Sequence, residues 1–562
     1  MKSETTNTDA MQPYDVTILG GGLAGLSLAL QCRQEMPKAR IVVLEKNRHP
    51  VPEAAFKVGE STVEVATHYF TKVLGLEDHM REEQLPKLGL RFFFRAGDNS
   101  AIQRRLELGG RDFPPTPSYQ LDRGRFENFL AERCQSLGID FIDGAKIKDV
   151  KLARGRKNHH VKYSHDDVET TVQSRWVADC SGRAAILKRH LGLEKEITHR
   201  ANAAWFRIGA EIKVDDWSSD PAWSENYDAE TNPRWLSTNH LMGEGYWVWL
   251  IPLATGCTSV GIVADEDTHP LSDFNTADKA LAWLDKHEPQ CAEKVREHDG
   301  KMQDFIAMKR YSRECKQVFS SGRWGITGEA GFFLDPFYSP GSDFIGFGNT
   351  FLCELIKRDM EGKSNRVHAR MFDFLYKRMH YGTAPVYHDQ YQLFGDQQVM
   401  PIKILWDYMI YWTLSGYVFC HGKTFDLSMY GRHFFKLKRL DELNRFMQKF
   451  FRVWHEQTPH WESTGEIDAW EMPVIIETNR ALQDELDSGA YAERFADNVA
   501  QMETLFWEII DSSGVECKVP FKRKQHAKSL KGSFDLLFEA TARRLDESRQ
   551  ATEQQQCAAK PA

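Results

Sequence analysis

Six residues early in the chain, Gly20-Gly21-Gly22-Leu23-Ala24-Gly25, carry the spacing G-x-G-x-x-G between an apolar run ending at Leu19 and another beginning at Leu23. That context, strand then turn then helix, presents backbone N–H groups to a phosphate. Gly20 permits the tight turn, Gly22 lets a pyrophosphate approach the backbone, and Gly25 lets helix and strand pack closely. Glu45 closes the next apolar run, Ile41 to Leu44, twenty residues after Gly25. A carboxylate there accepts hydrogen bonds from a ribose diol and repels a 2′-phosphate. Together these residues read as a dinucleotide site.

Other residues could do chemistry elsewhere. Trp247 and Trp249 are two apart in the run Tyr246 to Pro252, so on a strand they share one face and form a flat apolar wall. Phe333-Leu-Asp-Pro336-Phe-Tyr-Ser339-Pro-Gly341 reads as a rigid turn. Pro340 has no N–H, so the backbone donors around it are those of Ser339, Gly341 and Ser342. Lys87 precedes the apolar run Leu88 to Phe94, a place where a lysine is ordinarily solvated. Lys57, just before Gly59-Glu60-Ser61, is a competing amine. Gly346-Phe-Gly348 follows no plausible strand and lacks a ribose acid, so a second dinucleotide is not expected.

The elements that must position these groups begin with a βαβ unit: Tyr14 to Leu19, Leu23 to Glu35, Ile41 to Leu44. Strands are expected at 88–95 and 175–178, and Tyr246 to Pro252 should pair with Thr258 to Val263 across Ala254-Thr-Gly256. After about residue 350 the pattern turns to amphipathic helices, among them Phe351 to Met360, Leu440 to Trp454 and Tyr491 to Ile510. Ile402 to Cys420 is interrupted by Lys403, Asp407 and Gly416, and reads as a buried or capping helix rather than a membrane span.

With 562 residues, 41% of them hydrophobic, the chain can bury a large core. Its 72 basic and 80 acidic residues, net −8, give no general footprint for nucleic acid or an anionic membrane. The ten cysteines are scattered without a C-x-x-C pair, so neither a disulfide framework nor a metal site is expected, and a reducing cytoplasm fits best. The polar start shows no signal peptide, and residues 1–12 and 546–562 are expected to be disordered.

Several segments resemble known families. Val177-Ala178-Asp179-Cys180-Ser181-Gly182-Arg183 resembles the strand-end D-x-S-G segment of glutathione-reductase-type FAD domains. Trp324-Gly-Ile-Thr-Gly328-Glu329-Ala330-Gly331 resembles the segment of those folds that holds the ribityl chain, with Glu329 where Asp is usual. Arg123 resembles the arginine they place near the flavin phosphates, and a helix from about Asn349 would aim its positive end at the flavin. Trp247-Val-Trp249-Leu-Ile251-Pro252 matches the W-x-W-x-I-P of the flavin-dependent halogenases, and Phe333 to Gly341 matches their F-x-x-P-x-x-S-x-G. Lys87, between Gly59-Glu60-Ser61 and an apolar strand, resembles their catalytic lysine. Tyr338 stands where the tryptophan-halogenating branch has glutamate, which shifts the resemblance toward phenol and pyrrole halogenases.

The resemblance implies an α/β protein. A glutathione-reductase-type FAD-binding Rossmann fold would span 13–365, with a β-rich substrate region inserted at about 55–110 and 195–317, and a helical region would follow at 366–545. Gly20, Gly22, Gly25, Glu45, Gly59, Glu60, Ser61, Arg123, Asp179, Gly328, Glu329, Pro336 and Gly341 would bind FAD, and Ser339, Gly341 and Ser342 a halide. Trp247 and Trp249 would separate flavin from substrate, and Lys87 would deliver the halogen. The implied reaction uses reduced FAD, O2 and chloride or bromide to make hypohalous acid, which halogenates a phenol or pyrrole, free or carrier-tethered. A separate NAD(P)H flavin reductase would supply the reduced cofactor. The basic run Lys518 to Lys524 could touch an acidic carrier protein. Two alternatives stay open: an FAD monooxygenase that inserts oxygen into the ring, and a non-catalytic flavin-binding scaffold in a biosynthetic complex.

Overall fold

The structure, a computed structural model, describes residues 12–53, 58–460 and 462–523. Lys57, Lys524 and both expected disordered termini, apart from residue 12, lie outside the described residues. The chain divides into two compact units, each built from separated segments. Of the described residues, one unit takes those up to Gln84, then Leu121–Thr198 and Tyr311–His380; the other takes Leu85–Gln120, His199–Arg310 and those from Tyr381 onward.

The first unit is the Rossmann unit. Its central strands run in the order Trp324–Ile326, Val168–Asp179, Tyr14–Leu19, Ile41–Leu44, Asp140–Ile142, all parallel. Val, Ile and Leu dominate the inner strands because both faces are covered. Ile41–Leu44, for instance, is buried at every position. Helix Leu23–Glu35 lies against the sheet and against helices Arg123–Ser136 and Gly341–Met360, so Leu23, Leu26, Leu28 and Leu30 are all buried. Each leucine contributes roughly 1.5–3 kcal/mol. The register aligns Leu19 with Leu44 and Asp179, and Asp179 with Ile326. Glu45, Gly20, Cys180 and Thr327 thus leave the sheet at one common edge, the carboxyl edge where open α/β sheets take ligands.

The second unit carries an eight-stranded sheet with the order Met302–Met308, Ala201–Ile208, Thr258–Asp265, Tyr246–Pro252, Thr238–Gly243, Leu90–Phe94, Leu106–Gly109, Gly465–Asp468. The expected hairpin is present, with Tyr246 opposite Ala264 and Pro252 opposite Thr258. Alternation sends Tyr246, Val248 and Leu250 into a core with Trp217, Trp223 and Trp283. Trp247 and Trp249 point to the other face.

Helices follow, as their periodicity predicts: Val399–Ile410, Phe434–Gln457 and Ser488–Ser513. The last is capped by Asp487, which accepts from the N–H groups of Gly489 and Ala490, and ends at Gly514 with φ +66°. The stretch from Ile402 to Cys420 is helical with a π-helical turn at Tyr411–Gly416. Among the described residues no helix is long and apolar enough to cross a membrane.

Two elements differ from the sequence reading. Gly465–Asp468 adds a strand, parallel to Leu106–Gly109, inside the region read as helical. Four residues, Gly-Glu-Ile-Asp, hold no alternation to reveal an edge strand that exists through backbone pairing. The helix expected from about Asn349 starts at Gly341, because Gly346 and Gly348 break the apolar pattern without breaking the helix. A Cβ on Gly348 would come 2.5 Å from the Thr327 hydroxyl, so close packing explains that glycine.

Candidate active site

In the first unit the dinucleotide turn is built as its spacing predicts. Gly20 has φ +105°, and a side chain there would strike the Cys180 carbonyl. A Cβ on Gly25 would overlap the Gly20 carbonyl, so the helix rests directly on the turn. Gly22 is different: a Cβ there meets nothing nearer than 3.9 Å, at Glu127 Oε1. The turn is therefore open at the one position that a pyrophosphate needs. Gly22 also gives its helix no side-chain cap, and Leu23 N–H reaches Glu127 Oε1 at 3.3 Å. An anionic oxygen already sits at this helix start.

The surrounding residues fit a dinucleotide. Glu45 is buried, accepting from Gly21 N–H at 2.6 Å and Asn47 N–H at 2.8 Å. Arg123 Nη2 donates to Glu127 at 2.8 Å and Nη1 to the carbonyls of Val58 and Gly59, while its buried Nε finds no partner among the described residues. Glu60 and Ser61 are buried beside it, with the Glu60 carbonyl accepting from Leu121 N–H. Asp179 spends its oxygens on Ser181 and on Leu187 N–H, shaping the strand end; burial raises its carboxyl above the usual range against those bonds.

The segment from Trp324 to Gly331 is braced by Asn349. Its amide donates to the Ala24 carbonyl at 3.1 Å and Ser27 Oγ at 3.0 Å, and its oxygen accepts from Thr327 Oγ1 at 2.9 Å. Gly328 packs against Ala24 with φ +62°. Half-buried Glu329 faces the field of Arg313, whose guanidinium is pushed down by burial and held up by that carboxylate.

The turn that follows is strained and pinned. Tyr338 and Ser339 both have positive φ, +66° and +57°, which costs a non-glycine residue roughly 1–2 kcal/mol. Asp335, fully buried, restrains them: its Oδ1 accepts from Phe337 N–H at 2.9 Å and its Oδ2 from Tyr311 Oη at 2.6 Å. Ser339 N–H donates to the Pro336 carbonyl at 2.9 Å. Of the three anion donors that the sequence offers, this bond occupies one. Gly341 and Ser342 remain, in the first turn of a helix whose N-cap, Pro340, supplies no side-chain bond. Sequence reasoning missed Glu127, Asn349, Tyr311 and Asp335. Only Glu127 had a signal, four residues after Arg123 on one helix face.

In the second unit Lys87 is 1% exposed. It follows the short strand Leu85–Pro86, its N–H bonds the Ser118 carbonyl at 2.9 Å, and Leu88 N–H bonds the Leu236 carbonyl. Its charge acts on His240. Burial pushes that imidazole down to about 3, the Arg91 carbonyl opposes the shift, and the Lys87 ammonium lowers it further. His240 Nδ1 lies 2.9 Å from the Arg91 carbonyl, and its ring stacks on Phe92 and sits 5.3 Å from Trp247. Trp247 and Trp249 are 5.6 Å apart, both buried, and Trp205 extends the wall. Trp249 Nε1 donates to Ser259 Oγ, and its ring fills the space left by Gly261. Histidine and indoles thus share one face of one sheet, and buried Lys87, in the loop before strand Leu90–Phe94, lies near enough to His240 for its charge to act on that ring.

Residues 13–263 match a family model described as FAD binding domain. The flavin-dependent halogenase chlA of Dictyostelium discoideum is 28% identical over 466 residues, covering 76% of this chain and 74% of that protein. A 1H-pyrrole-2-carbonyl-[peptidyl-carrier protein] chlorinase of Pseudomonas fluorescens is 26% identical over 396 residues, 63% of this chain and 79% of its own. Among solved structures, the halogenase PltM in complex with phloroglucinol and FAD superposes with a TM-score of 0.60 at 16% identity, covering 89% of this chain and 96% of that one. The open glycine turn therefore belongs to an FAD-binding domain, and the chain is a flavoenzyme similar in sequence to flavin-dependent halogenases.

Proposed function

We propose that the enzyme chlorinates or brominates an electron-rich aromatic ring, a phenol or a pyrrole, with Lys87 carrying the halogen and the Gly341–Ser342 helix start holding the halide. Bound reduced FAD supplies, with O2, the oxidising equivalents that turn halide into hypohalous acid. The observation that carries this reading is the burial of Lys87, whose charge acts on His240, the imidazole beside Trp247. A lysine in an ordinary surface role would not be buried.

Each residue has a task in this scheme. Gly22, Arg123 and Glu45 hold the two phosphates and the ribose. The N–H groups of Gly341 and Ser342 bind the halide, and Asp335 fixes the turn that aims them. The indoles exclude water and bulky rings from the oxidant. Lys87 Nζ either hydrogen-bonds the hypohalous acid as the ammonium or, having given up a proton, exchanges an N–H for an N–halogen bond with release of water. The ring then takes the halogen and gives up its own proton, which returns the N–H to the lysine. Neutral His240 adds no second positive charge against the ammonium.

The substrate class rests on Tyr338 in place of a glutamate, on the phloroglucinol held by one structural relative, and on the carrier-bound pyrrole in the name of another relative. A carrier-tethered substrate, a separate NAD(P)H flavin reductase and a cytoplasmic setting belong to the same proposal. The test supplies reduced FAD, O2 and bromide or chloride with a panel of phenols, pyrroles and indoles, free and carrier-bound. Halogen isotope patterns in a phenol or pyrrole product support the proposal. A product gaining only oxygen means a monooxygenase, and oxygen consumption without product on any ring removes the substrate class.

A further inference from the structure

We propose that Asp396, His455 and His460 form a binding site for a divalent transition-metal ion, zinc in particular. Each residue offers one ligand atom, and the three atoms lie within 4.8 Å of one another. Neither the FAD turn nor the tryptophan strand shares a residue with the set.

Asp396 is the organising group. Its side chain is 1% exposed, yet its oxygens have unequal surroundings. Oδ1 accepts from the backbone N–H groups of Gln398 and Val399, at 2.8 and 3.0 Å, where helix Val399–Ile410 begins. Oδ2 faces two imidazoles instead, His455 Nδ1 at 2.6 Å and His460 Nδ1 at 3.3 Å. Such a division fixes a carboxylate for one-oxygen coordination, with its other oxygen held by backbone bonds that orient it.

Two imidazole nitrogens and one carboxylate oxygen suit zinc, which binds both ligand types at about 2.0–2.2 Å. Tetrahedral ligands at that range stand about 3.3 Å apart. The His460 contact already matches this spacing, and the His455 contact is a hydrogen bond that must open by less than about 1 Å. Binding replaces each imidazole Nδ1–H facing Oδ2 by a metal bond, and the displaced protons move to Nε2 or to solvent. His460, with 59% of its side chain exposed, leaves an entry path and room for water at the fourth position. Glu244 adds negative field at His460.

The site would fasten a connection. His455 ends helix Phe434–Gln457, His460 lies in the turn after it, and that turn leads to strand Gly465–Asp468 at the sheet edge. Gln397 Nε2 and Glu462 already bind the Arg95 carbonyl and Gly97 N–H nearby, so the ion would reinforce a junction that hydrogen bonds begin. Scattered cysteines argued against a thiolate site; this set uses none.

The test uses the full chain, stripped with chelator and titrated with Co2+ while visible d–d absorption is read, then with Zn2+ as competitor. The wild type should bind one Co2+ per chain, lose it to Zn2+, and melt at a higher temperature with metal. His455→Ala and His460→Ala should each weaken Co2+ at least about tenfold and abolish the metal-dependent rise in Tm. His460→Ala, at an exposed position, should match the metal-free wild-type Tm, which separates loss of a ligand from loss of fold. Failure of the wild type to take up stoichiometric Co2+, or d–d bands that persist in both variants, would overturn the site.

Discussion

Tyr311 Oη donates a 2.6 Å hydrogen bond to Asp335 Oδ2, and this buried contact joins two stretches of chain 24 residues apart to hold the anion turn. A hydrogen bond to a charged partner contributes about 1.5–3 kcal/mol, similar to the strain of the two left-handed residues that follow. Tyr311→Phe should leave Asp335 short of a donor. The expected result is a several-fold higher KM for bromide with FAD affinity unchanged, read from halide-dependent steady-state rates beside a flavin fluorescence titration. An unchanged halide KM would detach this bond from halide binding.

The glycines of the FAD turn can be separated by what a methyl group would meet. Gly25→Ala places Cβ on the Gly20 carbonyl and should destabilise the unit by several kcal/mol, about 1–3 or more on an overpacking scale. Gly22→Ala meets nothing nearer than 3.9 Å. It should melt within a few degrees of the wild type, yet bind FAD at least about tenfold more weakly, since the methyl occupies the approach of the pyrophosphate. Thermal melts and FAD titrations on the two variants check both halves.

His240 gives a pH dependence with a definite sign. Its folded pKa, pushed down to about 3, lies below the ordinary histidine value of about 6.5. The unfolded chain therefore takes up the proton first as pH falls. The stability that neutral His240 contributes is whole above about 6.5 and is lost as pH falls toward 3. His240→Gln should flatten that acid limb in urea melts run across the range. Removing the ammonium with Lys87→Met should raise the His240 pKa, which NMR titration of the ring can read.

How far the sequence reached depends on whether a signal was local. Strand, turn and helix around Gly20 to Gly25 sit in one continuous stretch, so their periodicity and spacing showed both the fold and the phosphate turn. The Trp247–Trp249 face was equally legible, because alternation along one strand decides it. Asp335 and Tyr311 were not, because neither has a pattern until the chain brings them together. The edge strand Gly465–Asp468 was hidden for the same reason, and so was the Asp396, His455 and His460 set, whose members are up to 64 residues apart. Lys87 falls between these cases: its place before a strand was plain, but its burial comes from neighbours distant in sequence.

Arginine at position 87 keeps the positive charge but not an amine that can readily become neutral and carry halogen. Lys87→Arg should bind FAD as the wild type does and lose halogenation by at least about 100-fold, the lower range for a residue that acts directly on the reacting group.

The most direct measurement combines these two properties. Wild type and Lys87→Arg are each given reduced FAD, O2, bromide and a phenol or pyrrole substrate, with product mass and flavin binding read on the same samples. The account predicts a bromine isotope doublet from the wild type alone, with equal flavin binding by both proteins. Brominated product from Lys87→Arg at the wild-type rate would contradict it.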